Sequence, residues 1–329
     1  MAMSLSTSQA KDLSQFWTGE ILWDCPLAEF TTLKVGGPAG AVLFADKPEQ
    51  LRHLLGWLRA NQIPWRVIGR GSNILVPDEG FAGVVIILGR GFAAIEPLGG
   101  PGRSGAPEPV LVRVGAGCSL ARLVNWCAAF PPHGLAGLEF AQGIPGSVGG
   151  AVIMNAGAWG MNIGQAVQVI TMLDQDGRLL TEAKDQFDFA YRCWHRKAGA
   201  SSEVIVLNVT FALLGSDQNQ IKAACRTYHR RRRESQPHGV ASAGSIFKNP
   251  AAQAAGRLIE EAELKGHRIG GAMVSPLHAN FIINTGKATA QDILDLMREI
   301  QTRVFNRTGI MLEPEVHILG QGAGRKAGR

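Results

Sequence analysis

Residues 48–61 read PEQLRHLLGWLRAN, with leucines three and four apart behind a proline, the spacing of a helix that buries one face. WRVIG (65–69) and VVIIL (84–88) are short β-rich apolar runs, separated by the turn-rich GRGSNILVPDEG, and predict strand, loop, strand. VLVRVGAG (110–117) predicts a strand entering a turn, and SLARLVNWCAAF (119–130) a helix capped by Ser119. Around the Asp-Gly of DQDG (174–177), AVQVITML and RLLT form a predicted hairpin. VIVLNVTFALL (204–214) is a predicted strand, and SDQNQIKAACRTYHRRRRES (216–235) a helix capped by Ser216 or Asp217. The last third predicts a short helix in GRLIEEAEL (256–264), a strand in NFIIN (280–284), a long amphipathic helix over 288–309 and a strand in IMLEPEVHIL (310–319).

Helices and strands alternate without an internal repeat, which gives an α/β or α+β fold with a boundary near residue 215. A length of 329 residues suits two or three folding units. The Gly/Pro-rich stretch 97–109 predicts a flexible surface loop dividing the first part near 95–110. Residues 1–25, rich in Ser, Thr and Gln, predict an N-terminal extension without the apolar core of a signal peptide, and 321–329 a basic tail.

Composition narrows the function classes. Five cysteines without a CxxC, and eight histidines without HxxxH, argue against a disulfide framework or a metal site and fit a reducing cytoplasm. Residues 140–173 carry no charge and could span a bilayer by length, yet they hold seven glycines and a proline. A broken backbone is costly in lipid, so this stretch predicts buried loop and strand. The net charge of +6 is partly concentrated in His229-Arg230-Arg231-Arg232-Arg233, pointing to an anionic ligand or a solvated helix face.

Three glycine loops follow. Gly69-Arg70-Gly71-Ser72-Asn73 and Gly115-Ala116-Gly117 each start like a dinucleotide fingerprint but lack its third glycine, and NILV continues the first as strand. Gly143-Ile144-Pro145-Gly146-Ser147-Val148-Gly149-Gly150 is the third. Glycines let backbone amides approach a phosphate, so three such loops suggest a large cofactor with a pyrophosphate. Near the C-terminus AGSIFKNP (243–250) sets Ser245 and Lys248 at the mouth of a loop that Asn249-Pro250 turns.

With TTLKVGG (31–37), GRGSNILV (69–76), GIPGSVGGAVIMNAGA (143–158), Tyr191-Arg192, AGSIFKNP, HANFIIN (278–284) and LEPEVHILG (312–320) in this order, the chain resembles the UDP-N-acetylenolpyruvoylglucosamine reductase family. The resemblance implies an α+β fold: an FAD-binding domain of the vanillyl-alcohol-oxidase (PCMH) type in two subdomains over 26–215, then an α/β substrate-binding domain over 216–320. It implies noncovalent FAD, with its pyrophosphate at Gly69, Arg70, Gly71, Ser72, Asn73, Gly117, Gly143, Ile144, Pro145, Gly146, Ser147, Gly149 and Gly150. It also implies the shorter family type, without a tyrosine-bearing insertion after Arg192.

The implied reaction is reduction of UDP-N-acetylglucosamine enolpyruvate by NADPH, through hydride transfer from flavin N5 to the enolpyruvyl methylene carbon. By motif position, Ser245 resembles the proton donor and Arg192 with Glu315 the pair that stabilises the developing charge. Arg233, Lys248 and Asn249 resemble substrate contacts for the diphosphate. Such charge requires preorganised donors and an acid, and the planar fork of arginine suits a carboxylate. Two departures stand out: Trp194 sits where a serine is usual, and Glu263 where glycine is common. The alternatives are another FAD oxidoreductase of the same fold and a basic nucleic-acid-binding protein; the latter lacks an aromatic platform beside its basic run. No membrane and no obligate protein partner is expected.

Overall fold

The computed structural model describes residues 5–99, 108–197, 203–251 and 253–320. Most of the 97–109 loop and the basic tail lie outside these residues. The first unit is a four-stranded sheet in which Ile21–Pro26 pairs antiparallel with Pro38–Ala45, followed by parallel Phe81–Leu88 and Trp65–Val67. Helix α1 (Thr7–Phe16), capped by the Ser6 side chain, buries Leu13 against this unit. Helix α2 (Pro48–Ala60) does the same with Leu51, Leu54, Leu55 and Leu58, the face its spacing predicts.

The second unit is an antiparallel sheet ordered Leu179–Ala183, Val167–Asp174, Val204–Ser216, Val110–Gly115, Ile95–Leu98, with Gly134–Ala136 added to the long strand. Helix α3 (Leu120–Ala129) starts where Ser119 accepts from the Arg122 amide. Helix α4 (Val148–Ile153) lies inside the uncharged stretch expected to be loop and strand. Two glycines and two valines give it poor helical propensity; the Ser147 cap and burial of Val148, Ala151 and Val152 hold it.

Helix α5 (Gln218–Ser235), capped by Asp217, was expected to open the substrate domain. It packs instead on the second unit, with Ile221 buried against the 134–136 strand and Cys225 and Tyr228 on that unit's core. The core of the third unit begins only at Ala243.

That third unit holds helices α6 (Ala255–Glu261) and α7 (Ala290–Thr308) and a four-stranded antiparallel sheet, Ala241–Ser242, Ile282–Asn284, Ala272–Val274, Arg268–Ile269. Its core includes Leu33, Val35 and Leu75 from the first unit. His317–Ile318 crosses back and pairs parallel with Ile74–Leu75. The long strand expected over 310–319 is therefore two short contacts, this pair and a bridge between Phe247 and Pro314. Glu263 has φ +59°, a left-handed conformation that glycine adopts without strain. No described helix is long and apolar enough to cross a membrane.

Candidate active site

The three glycine loops meet. Ser72 Oγ donates to Pro145 O at 3.0 Å, and Leu120 N to Gly146 O at 3.1 Å. A methyl group on Gly69 would lie 2.4 Å from Ser147 Oγ, and one on Gly149 2.9 Å from Ala116 Cβ, so both positions exclude larger residues. Gly71, Gly143 and Gly146 have φ of +60°, +78° and +142°. The amides of Val148 and Gly149 donate to Cys118 O and Ala116 O, and that of Gly150 to Ser147 Oγ. Buried Gly149 therefore braces the loop from behind, while Gly69, Arg70 and Pro145 stand exposed on its outer edge. Glycine-rich backbone turns brought together from two units are the kind of structure whose amides suit the pyrophosphate of a dinucleotide cofactor.

Arg192 stands at the tip of a hairpin, Phe187–Ala190 with Cys193–Arg196. Trp194 packs on Phe187 at 4.8 Å between ring centroids and faces Phe189 at 6.3 Å, so the unusual aromatic fixes the hairpin sheet instead of disturbing it. Buried Asn155 ties the hairpin down by donating to Ala190 O at 2.8 Å. Arg192 itself has φ +59°; its Nη1 donates to Gly157 O at 3.3 Å and its Nε lies 2.6 Å from Glu315 Oε1. That contact is an ion pair without an aligned N–H···O bond, since the buried Nε has no hydrogen-bond partner among the described residues.

Glu315 comes from the third unit and is placed by backbone. Its N–H donates to Ile246 O at 2.7 Å, its C=O accepts from Asn73 Nδ2 at 3.1 Å, and Lys248 N–H donates to Glu313 O at 2.8 Å. Ser245 is thus one residue from Ile246, whose carbonyl carries Glu315, and Glu315 in turn is the partner of the glycine loop's Asn73. Buried Asn280 locks the arrangement. It accepts from Phe247 N through Oδ1 at 3.0 Å, donates to Phe247 O at 2.8 Å, and takes Ile246 N–H on its backbone carbonyl. Sequence reasoning quoted Asn280 within HANFIIN but gave it no role.

Burial holds the Glu315 carboxyl above the usual carboxylate range, against the opposing pull of Arg192 and Lys248. The Ser245 hydroxyl is half-buried and makes no hydrogen bond among the described residues. Lys248 pairs with exposed Glu313 and stays close enough to Glu315 and His317 to act on their charge. The Asn249 side chain accepts from Ala255 N at 3.0 Å, bracing the start of α6, and its own N–H donates to Tyr191 Oη at 3.3 Å.

The basic run on α5 divides. Each residue turns the helix by roughly 100°, so neighbours face different ways. Arg232 lies beside Gly143, with its Cδ 3.1 Å from where a methyl would stand, and burial and then the nearby Arg192 charge push its guanidinium down. Arg231 lies over the Trp159 ring, 5.9 Å from its centroid, and Trp159 stacks on Tyr228. Arg233, the residue expected at the diphosphate, is exposed on the opposite side, in a groove with Asn125, Lys222 and Arg226. Sequence reasoning singled out Arg233 and gave Arg232 no role; the helical periodicity anchored on Ile221 and Tyr228 separates the two faces they occupy.

This geometry has a close counterpart in known proteins. The family described as UDP-N-acetylenolpyruvoylglucosamine reductase, C-terminal domain, matches residues 236–319, and that described as FAD binding domain matches 39–182. The UDP-N-acetylenolpyruvoylglucosamine reductase of Desulfosudis oleivorans is 42% identical over 94% of this chain and 97% of its own. The chain belongs to the UDP-N-acetylenolpyruvoylglucosamine reductase family. The reductase of Bacillus subtilis is 38% identical over 94% of this chain and 97% of its own. The crystal structure of the Thermus caldophilus enzyme matches with a TM-score of 0.75 and 37% identity, over 92% of this chain and 99% of that one. The fold is thus the α+β one expected, an FAD binding domain followed by the C-terminal domain of these reductases.

Proposed function

We propose that this protein reduces the enolpyruvyl ether of UDP-N-acetylglucosamine enolpyruvate to the lactyl ether of UDP-N-acetylmuramate, a step of peptidoglycan precursor synthesis. The reading rests on family membership and on one observation: Ser245 and Glu315 lie on adjoining backbone segments, the second of which hydrogen-bonds to Asn73 of the glycine loop, with Arg192 closing over Glu315. The glycine turns at 69–73 and 143–147 would hold the FAD diphosphate, with Gly117 and Gly149 packed behind them. Bound FAD, reduced by NADPH, supplies a hydride to the enolpyruvyl methylene carbon.

The chain's own residues then handle charge and proton. Hydride addition leaves negative charge on the adjacent carbon and its carboxylate. The Arg192 fork is the matching donor, with its buried Nε turned to Glu315. Glu315, paired with Arg192 at 2.6 Å, holds that guanidinium toward the developing enolate, while burial raises the affinity of its carboxyl for a proton. The Ser245 hydroxyl gives its proton to the carbon, and the Lys248 ammonium stabilises the oxygen left behind. Removing water from this recess strengthens each of these interactions. On the diphosphate side Arg232, beside Gly143, takes the place expected of Arg233.

The deciding experiment is anaerobic oxidation of NADPH by the purified FAD-loaded protein, with and without the nucleotide sugar. We expect NADPH to bleach the flavin and the nucleotide sugar to restore its colour with formation of the lactyl ether. Flavin that NADPH bleaches and the nucleotide sugar leaves bleached would overturn the reading.

A further inference from the structure

The outer side of α5 carries chemistry that the reaction leaves unused. Lys222, Arg226, His229 and Arg233 recur at four-, three- and four-residue steps and, with Arg230 beside them, make one stripe along the helix. They line a cavity of about 670 Å³, with Asn125 of α3 and Gln142 on the facing wall. The stripe is on the opposite side of the helix from Arg231, which meets Trp159, and a turn of roughly 80° to 100° away from Arg232, which meets Gly143.

Two observations show what this cavity would take. Its positive charge is largely unneutralised: Lys222, Arg226 and Arg233 have no carboxylate partner among the described residues, and the one acidic lining residue, Glu234, is 3.9 Å from Arg230 on an exposed pair. A low-walled recess lined by one sign of charge concentrates anions. The Gln142 side-chain oxygen on the wall is buried and lacks a donor among the described residues. A buried acceptor without a partner costs free energy that a ligand hydroxyl or N–H would recover. Phosphate for the stripe and a hydroxyl or N–H for Gln142 occur together in one class of small molecule.

We propose that the groove between α5 and α3 binds a nucleotide, phosphates along Lys222, Arg226 and Arg233 and sugar or base donors toward Gln142, at a site separate from the reaction cleft. Gln142 directly precedes Gly143 of the glycine loop, so an occupant would sit against the outer wall of the proposed cofactor seat.

The test is calorimetric titration of ATP, sodium tripolyphosphate and adenosine into the FAD-loaded full-length protein, repeated with saturating UDP-N-acetylglucosamine. ATP is expected to bind in a salt-sensitive manner, tripolyphosphate more weakly and adenosine undetectably, with binding retained in the presence of the nucleotide sugar. The double substitution Lys222→Glu, Arg226→Glu is expected to weaken ATP at least about tenfold while KM for NADPH stays unchanged. If that variant loses its flavin, the milder Lys222→Gln, Arg226→Gln pair takes its place. Absence of ATP binding, binding indifferent to both pairs, or full displacement by the nucleotide sugar would overturn the site. Tripolyphosphate binding as tightly as ATP would overturn the nucleotide assignment. Each readout is binding, so it stands or falls independently of turnover.

Discussion

The cofactor-side loops and the Ser245, Arg192, Glu315 cluster are built in opposite ways. The loops are made of backbone: glycines at 69, 71, 143 and 146 set the turns, neighbouring amides brace them, and side chains are excluded by contact. The cluster is made of side chains that converge from the second and third units, and it depends on one buried amide, Asn280, and one strand contact. A backbone site tolerates changes of chemistry but not of volume. A side-chain site tolerates neither, though its losses can occur with the cofactor still in place.

Substitutions separate the two. Ser245→Ala is expected to lower turnover by about 10²- to 10⁴-fold, the usual contribution of a positioned acid, while NADPH still bleaches the flavin at the wild-type rate in stopped flow. A flavin that also fails to bleach would merge the two regions. Asn280→Ala removes both side-chain hydrogen bonds to Phe247 and leaves the backbone bond to Ile246; a loss of about 1–3 kcal/mol in urea melts is expected, with turnover falling and flavin retained. Gly149→Ala inverts the pattern: its methyl meets Ala116 at 2.9 Å, and about 1–3 kcal/mol of overpacking should appear with weakened FAD retention on gel filtration.

Glu315→Gln probes pH. Burial raises the folded-state pKa above the ordinary glutamate value of 4.5, so the folded chain holds this proton more tightly than the unfolded one. That preference favours folding at acid pH and is lost as pH rises from 4.5 through the raised value; the glutamine variant should show a flatter stability profile over that window. Least of all, Glu263→Gly should stabilise the protein by about 0.5–1 kcal/mol by relieving a left-handed side-chain-bearing residue, with no change in turnover.

The same contrast explains what the sequence made legible. Helices α2, α3 and α7 could be read directly, because apolar spacing and the caps Ser119 and Thr289 are local properties. The glycine loops were legible because volume exclusion leaves glycine as a visible mark. Helix α4 was not, since tertiary burial overrides the poor propensity of Val148-Gly149-Gly150. Nor was the membership of α5, whose amphipathic face fits either neighbour until the fold puts Tyr228 and Cys225 on the second unit. Which of Arg232 and Arg233 faces the glycine loop turned on the same missing information. Glu263 was conspicuous as a departure, and its φ of +59° supplies the physical reason.

Leu33, Val35 and Leu75, which complete the core of the third unit, make the chain a splice instead of beads on a string. A C-terminal fragment beginning at 236 would carry a greasy hole where those three side chains belong, and an N-terminal fragment would present them to water beside an unpaired strand edge at Ile74–Leu75. Grafting this C-terminal unit onto another flavoprotein would therefore require transplanting 31–37 and 73–76 with it, so the smallest exchangeable cassette is discontinuous in the gene.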